Sequence, residues 1–332
     1  MPRSLDSSRR ACAQNPTPRS WRGNHARERR CMKPYRVDGK RNHDPPEGPG
    51  MTDHAAIPRS APESADPLPD RDEAQVGEIA LITDRGLAHH RNEDAAAAGT
   101  VTTGSGRPGI AIAVCDGVSS STDAHLAAVA ASKAGVDAML TTLASGEADD
   151  AVFAGLTAAA RAAAMLGTSG RLEMAPSCTY TAAAVVPNAD GAVEIVVGNV
   201  GDSRAFWFPE SSEAPRQLTL DDSLARELIA AGLPEDSAAV QRGAHTLTRW
   251  LGADNDAQPW AESSVSTFTM TGAGVLLLCT DGLWNYLPDA ADLVPFVDAA
   301  DPAATARALT DYAVTAGGQD NITVVVTPIR MP

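Results

Sequence analysis

No apolar run in this 332-residue chain looks long enough to cross a membrane. Runs such as 275–279 fall far short of the roughly 20 residues a spanning helix needs. The N-terminus is basic, but no apolar core of about 7 to 15 residues follows it, so no secretory signal is expected and a cytoplasmic location is. The five cysteines are odd in number and contain no Cys-x-x-Cys pair. That argues against a disulfide framework or a structural zinc site, and Cys115 and Cys279, inside apolar runs, read as buried thiols. Also absent are a Gly-x-x-x-x-Gly-Lys loop, a His-Glu-x-x-His pair and a strand-anchored Gly-x-Ser-x-Gly elbow. The commonest phosphate-loop, zinc-protease and serine-hydrolase chemistries are thereby removed. No internal repeat is evident.

What remains has the balance of a globular protein, with 43% hydrophobic and 21% charged residues. Its length suits one large domain with appendages. Charge is uneven: residues 1–50 hold twelve Lys/Arg against five Asp/Glu, and the whole chain still has net charge −15. An acidic body disfavours nucleic acid and anionic membrane surfaces and is compatible with cations or basic partners. Residues 1–75, rich in Arg, Pro, Ser, Asn and Gly without apolar periodicity, read as a disordered basic arm. The domain is expected over 76–330.

Within that domain, strand-like runs are expected at 77–83, 110–115, 178–186, 193–199, 203–208, 216–219, 246–249, 261–270, 274–280 and 322–327. Ala-rich helices are expected at 122–140 and 150–166, short ones at 223–231 and 235–241, and a further pair at 289–298 and 302–316. Strands grouped together and helices grouped in pairs indicate an α+β domain: a four-layer α-β-β-α sandwich, two antiparallel sheets flanked by helix pairs.

Four acidic residues share one context, at a strand end or turn beside Gly or Asn: Asp94, Asp116, Asp281 and Asp320. Any one alone reads as an ordinary turn, because Asp and Gly dominate turns for backbone reasons. Two long apolar strands both ending in Asp-Gly, with Asp320 on the turn into a third, can bring carboxylates to one sheet edge. Mg²⁺ and Mn²⁺ take oxygen ligands and keep several waters, so a few carboxylates and a backbone carbonyl suffice. Gly117 leaves its carbonyl accessible to an ion.

From about residue 79 to 327 the sequence resembles the bacterial metal-dependent protein phosphatases, the type 2C serine/threonine enzymes. The matching segments come in order: Thr83-Asp84-Arg85-Gly86 leading to Asn92-Glu93-Asp94, then Asp116-Gly117, then Gly198-Asn199-Val200-Gly201-Asp202-Ser203-Arg204. Leu218-Thr219-Leu220-Asp221-Asp222-Ser223 and Leu247-Thr248-Arg249-Trp250-Leu251-Gly252 follow. Cys279-Thr280-Asp281-Gly282-Leu283 and Gly318-Gln319-Asp320-Asn321-Ile322-Thr323 complete the set. The resemblance implies hydrolysis of phosphoserine and phosphothreonine in proteins by a water activated at a dinuclear Mn²⁺ or Mg²⁺ centre. The partners it implies are phosphoproteins, targets of a serine/threonine kinase. It further implies that Asp116 bridges both ions, with Asp281 and Asp320 beside it as the catalytic carboxylates and the Gly117 carbonyl completing one ion's shell. Asp94 joins the metal set through waters, Glu93 stands behind it, and Asn321 organises the backbone. Asp202 and Arg204 are implied as structural residues of a strand turn.

Two departures from the family pattern stand out. Where an arginine commonly grips the substrate phosphate, this chain has His89, so His89 or Arg91 is expected to bind it. After Asp116-Gly117 the chain reads Val118-Ser119-Ser120-Ser121, which leaves no histidine there as a proton donor. An alternative reading is therefore a catalytically impaired module of the same fold that binds phosphoproteins. His125 reads as a surface or helix-cap residue and Glu173 as loop charge. Residues 221–234 resemble the family's mobile flap.

Overall fold

The computed structural model describes residues 51–58, 70–167, 174–255 and 258–331. The strands are β1 (Met51–Ile57), β2 (Arg71–Val76), β3 (Ile79–Asp84), β4 (Ala95–Thr102), β5 (Pro108–Cys115), β6 (Ser177–Cys178) and β7 (Tyr180–Pro187). They continue as β8 (Val193–Val200), β9 (Arg204–Pro209), β10 (Arg216–Gln217), β11 (Leu251–Gly252), β12 (Val265–Met270), β13 (Gly274–Cys279) and β14 (Ile322–Ile329). The helices are α1 (Ala124–Leu143), α2 (Ala148–Ala164), α3 (Leu224–Ala230), α4 (Ala238–Gly243), α5 (Asp281–Trp284), α6 (Ala290–Leu293) and α7 (Pro302–Ala316).

Two six-stranded sheets form the centre, in the orders β1-β4-β5-β7-β8-β12 and β10-β9-β13-β14-β3-β2, with every pairing antiparallel. Three buried clusters fill the gaps between four layers. One, with Ala127, Leu140 and Leu156, lies between the first sheet and α1 and α2. A second, with Ile112, Leu278 and Val325, joins the two sheets face to face. The third, with Phe206, Leu277 and Leu309, lies under α7. Strands that face a neighbour on both sides read as continuous apolar runs, which is why β13 and β14 are buried along their whole length. The expected α-β-β-α sandwich is present.

Small residues set the spacing of the helical layer. Tyr180 rises from β7 between α1 and α2, and a side chain at Gly135 would collide with its hydroxyl. Helix α1 has the length and hydropathy of a membrane span, an exception to the expectation that no segment does, and half of it is buried within the fold. It packs on β4 and β5 with Ala127, Ala131, Val136 and Leu140 fully covered. Its apolar character thus serves a protein interior.

Several elements differ from the sequence expectation. Strands β1 and β2 lie inside the segment assigned to the disordered arm, so structure begins well before residue 76; residues 1–50 and 59–69 of that arm lie outside the described residues. Both are edge strands, held largely by backbone pairing, and of β2 only Val76 is buried, so they carry little apolar signal. Strand β4 was not expected, because its Ala95-Ala96-Ala97-Ala98 run has no β-branched character. Its place between β1 and β5 decides its conformation. The expected strand at 246–249 is only an isolated bridge from Leu247 to Ser223. The helix expected at 289–298 is split into α6 and a 3₁₀ turn, Val294–Phe296, which contains Pro295. Glu173 lies outside the described residues.

Candidate active site

Five carboxylates meet where strand ends of the two sheets face each other. From the first sheet come Asp94, just before β4, Asp116, just after β5, and Asp202, after β8; from the second come Asp281, after β13, and Asp320, before β14. Asp116, Asp202, Asp281 and Asp320 line one open cleft of about 490 Å³, along with Gly117. Three of the four strand-end carboxylates singled out in the sequence thus line the cleft together with Asp202, and Asp94 stands beside it.

Local features fix each one. The Asp116 N–H donates to Thr179 Oγ1 at 2.9 Å, and the Thr179 N–H donates back to the Asp116 carbonyl at 2.8 Å. A Cβ on Gly117 would stand 2.7 Å from the Glu93 carbonyl, so glycine here lets the Glu93 loop close over the strand end. A Cβ on Gly282 would collide with the Asn321 carbonyl, so the second Asp-Gly is required by contact with the Asp320 turn. Gly318, at φ +52°, ends the α7 turn, and its carbonyl accepts from the Leu87 N–H at 2.7 Å. Asn321 closes the assembly. Its Nδ2 donates to the Arg85 and Arg91 carbonyls at 2.7 and 3.1 Å, and its Oδ1 accepts from the Glu93 N–H at 2.7 Å. Asn321 thus ties together the backbones of the Arg85, Arg91 and Glu93 loop, and Glu93 sits beside the cluster without lining the cleft.

Asp94 is 1% exposed and held across the sheet interface. Its Oδ2 accepts from Thr280 Oγ1 and Thr323 Oγ1, both at 2.8 Å, and Thr323 Oγ1 in turn lies 2.7 Å from Thr83 Oγ1. Its Oδ1 is buried with no hydrogen-bond partner among the described residues, as is Asp281 Oδ1. Buried acceptors without donors are rare and costly, and two such atoms in one acidic cluster mark a place for positive charge.

The electrostatics agree. Burial, followed by repulsion from Asp320 and Asp281, pushes Asp94 up to about 8, although Thr280 and Thr323 pull it down. Burial and then Asp281 raise Asp202 to about 8; burial and then Asp320 raise Asp281 to about 6. Asp116 is pushed well above the usual carboxylate range by burial and then by Asp94 and Asp281. Carboxylates crowded this way favour cation binding, because a divalent ion inverts the local repulsion. Among the described residues no three acidic, His or Cys side chains form a ready-made metal cage. Oxygen-preferring ions that retain waters need none.

The two residues expected to bind phosphate have other partners in this structure. His89 Nε2 lies 3.1 Å from Asp320 Oδ1. Arg91 reaches Asp123 Oδ1 at 3.4 Å and His125 Nδ1 at 3.1 Å, at the start of α1. Neither lines the cleft. Both side chains follow the nearest available partner, which a sequence read without geometry cannot supply. His125 is a half-buried neighbour of that arginine, lowered in pKa by burial and by Arg91.

Four contributors escaped the sequence reading. Asp202 was assigned to a strand turn, yet it shares the strand-end context of the others and its side chain enters the cleft. Thr280 and Thr323 sit inside the quoted motifs without an assigned role. His245, which lines the cleft, carried no signal. The flap-like segment 221–234 holds the short helix α3, capped by Ser223, and a second short helix, α4, capped by Ser237, follows it.

A sequence profile described as Protein phosphatase 2C matches residues 88–312. The chain belongs to the protein phosphatase 2C family. The serine/threonine phosphatase stp of Listeria innocua is 32% identical over 136 residues, covering 40% of this chain and 51% of that protein. The chain thus spans about half the length of that curated relative. The fold resembles the crystal structure of the PPM Ser-Thr phosphatase MsPP from Mycobacterium smegmatis in complex with cacodylate, with TM-score 0.56 and 26% identity over 78% of this chain and all of that one. It also resembles the catalytic domain of the serine threonine protein phosphatase PstP in complex with two manganese ions, with TM-score 0.52 and 24% identity, covering 76% of this chain and 97% of that one. That last likeness is one of fold.

Proposed function

We propose that this chain is a protein phosphatase that hydrolyses phosphoserine and phosphothreonine monoesters with two divalent cations, Mn²⁺ or Mg²⁺. The observation that carries the reading is the buried carboxylate cluster with two oxygens, Asp94 Oδ1 and Asp281 Oδ1, that have no hydrogen-bond partner among the described residues. In this family member, that cluster is the feature of the cleft that calls for a cation. The manganese of the PstP catalytic domain supports the choice of ion.

Asp116, Asp281 and Asp320 would hold the ions together with the Gly117 carbonyl, and Asp94 would act from behind them. When bound, two such ions supply Lewis acidity, lower the pKa of a water between them and clamp the attacking and leaving oxygens of an in-line displacement. The chain's own part is placement. Thr280 and Thr323 hold Asp94 by one oxygen and leave the other free. Thr179 fixes the backbone of Asp116, and Asn321 locks the Glu93 loop to the Asp320 turn. Phosphoryl transfer is mostly positioning and charge stabilisation, so the reading needs no covalent nucleophile from the protein.

The test is hydrolysis of an aryl phosphate and a phosphothreonine peptide with Mn²⁺, with Mg²⁺ and with chelator. Activity is expected only with a cation, and Asp116→Asn and Asp281→Asn are each expected to lower it at least about a hundredfold. A folded protein that binds Mn²⁺ by calorimetry yet hydrolyses neither substrate would instead be a phosphoprotein-binding module.

A further inference from the structure

A phosphate monoester entering this cleft meets carboxylates on several sides. Cations offset part of that repulsion, but the phosphoryl oxygens still need oriented donors. The two residues that the sequence offers are engaged elsewhere, His89 with Asp320 and Arg91 with Asp123 and His125. Of the residues that line the cleft, one is basic: His245.

The placement of His245 is built from several contacts. Its ring stacks on Trp284 with centroids 5.8 Å apart and planes 4° from parallel. Trp284 is 6% exposed, donates its indole N–H to the Asp202 carbonyl at 2.9 Å, and carries the Arg204 guanidinium 3.9 Å from its ring centre. The platform under the imidazole is therefore fixed at its edge and by a cation–π contact. His245 Nδ1 stands 3.9 Å from Asp281 Oδ2, while Nε2 has no partner among the described residues and the side chain is 60% exposed. The backbone around it is tied to the segment before α3: Leu224 N–H donates to the Thr246 carbonyl at 2.8 Å, and Thr248 N–H donates to the Asp222 carbonyl at 2.9 Å.

We infer that His245 is the phosphoryl-binding residue of this site, its ring N–H donating to a non-bridging oxygen of the substrate phosphate beside Asp281. The inference rests on the phosphatase reading for its substrate, but its binding step stands without turnover. It assigns to the segment after α4 a task that the sequence pattern led one to seek at His89 or Arg91. A ring preorganised on an indole loses little freedom when it makes such a bond, which suits a positioning contact.

Stacking and donation are separable. His245→Phe keeps an aromatic ring on Trp284 but has no N–H; His245→Gln keeps a donor without the ring. The experiment is calorimetric binding of inorganic phosphate to the Mn²⁺-loaded full chain, with aryl-phosphate KM and kcat and Mn²⁺ affinity measured alongside. The expected result is phosphate binding weakened about tenfold or more in His245→Phe, with KM raised more than kcat is lowered, largely retained binding in His245→Gln, and Mn²⁺ affinity within about twofold throughout. Phosphate bound equally well by His245→Phe and wild type overturns the inference in favour of a stacking role alone. So does a wild-type holoprotein that binds no phosphate, or a loss of phosphate binding that follows a loss of Mn²⁺ binding in both variants. If the wild type binds phosphate through His245 yet hydrolyses nothing, the inference stands and the phosphatase reading falls.

Discussion

Stripped of divalent cations, the protein should lose stability as pH rises from about 5 to about 7.5, opposite to the usual behaviour of ion-paired carboxylates. Asp202 is raised to about 8 and Asp281 to about 6, chiefly by burial and then by neighbouring carboxylates. The folded state holds these protons more tightly than the unfolded chain does. The stabilisation is therefore complete below the unfolded value and is lost as pH climbs toward the folded one. Asp202 alone covers about 2.5 units of that window, which at about 1.4 kcal/mol per unit is on the order of 3 kcal/mol, or about 6 to 12 °C in Tm for a domain of this size. Asp70 and Glu78, lowered by Arg85 and Arg330, change protonation below the window. His125, lowered by burial, contributes with the opposite sign because its neutral form is favoured as pH rises. Thermal unfolding of chelator-treated protein at the two pH values measures the slope, and Asp202→Asn should flatten it. With Mn²⁺ present the slope should reverse, because cation binding needs deprotonated ligands. A chelated Tm that is level or rising with pH, or an Asp202→Asn slope equal to wild type, would refute the account of the cluster.

Thr323→Val removes one of the two hydroxyls on Asp94 Oδ2 and should weaken Mn²⁺ binding about tenfold, read by titration calorimetry, with Thr323→Ser restoring most of it. Gly282→Ala drives a methyl into the Asn321 carbonyl and should lower stability by roughly 3 kcal/mol or prevent folding, whereas Gly77→Ala, which meets nothing within 4 Å, should cost only about 1 kcal/mol for its positive φ; chemical denaturation separates the two. Arg91→Ala should change KM for an aryl phosphate by less than about threefold, because its partners are the exposed Asp123 and the half-buried His125 rather than the cleft. A KM raised tenfold would return Arg91 to the phosphate.

The layered α+β fold was legible because its interior strands carry their own signal. Strands 110–115, 274–279 and 322–329 are buried on both faces, so they read as apolar runs, and their Asp-bearing ends read as turns. The edges were not legible. Strands β1 and β2 owe their conformation to pairing with β4 and β3, and β4 owes its own to burial that alanine does not announce. Asp94, Asp116, Asp281 and Asp320 were legible for the same reason as the interior strands, since each is anchored to a regular element, whereas Asp202 was read as part of a strand turn. The side-chain partners of His89, Arg91 and His245 were not legible, because they are Asp320, Asp123 and Trp284, residues remote in sequence.

The hydroxyls that hold Asp94 belong to Thr280 and Thr323, on the opposite sheet from Asp94 itself. No half of the sandwich therefore contains the centre. On the proposed function, a chain in which either sheet has formed alone has carboxylates but nowhere to seat an ion, so cation affinity becomes a direct gauge of whether the halves have docked. Among the described residues β14 is the strand furthest along the sequence, with Asp320 just before it. On the proposed function, a chain that lacks this strand should not take up Mn²⁺, and a refolding experiment that follows Mn²⁺ uptake would time the closing of the sandwich rather than the formation of its parts.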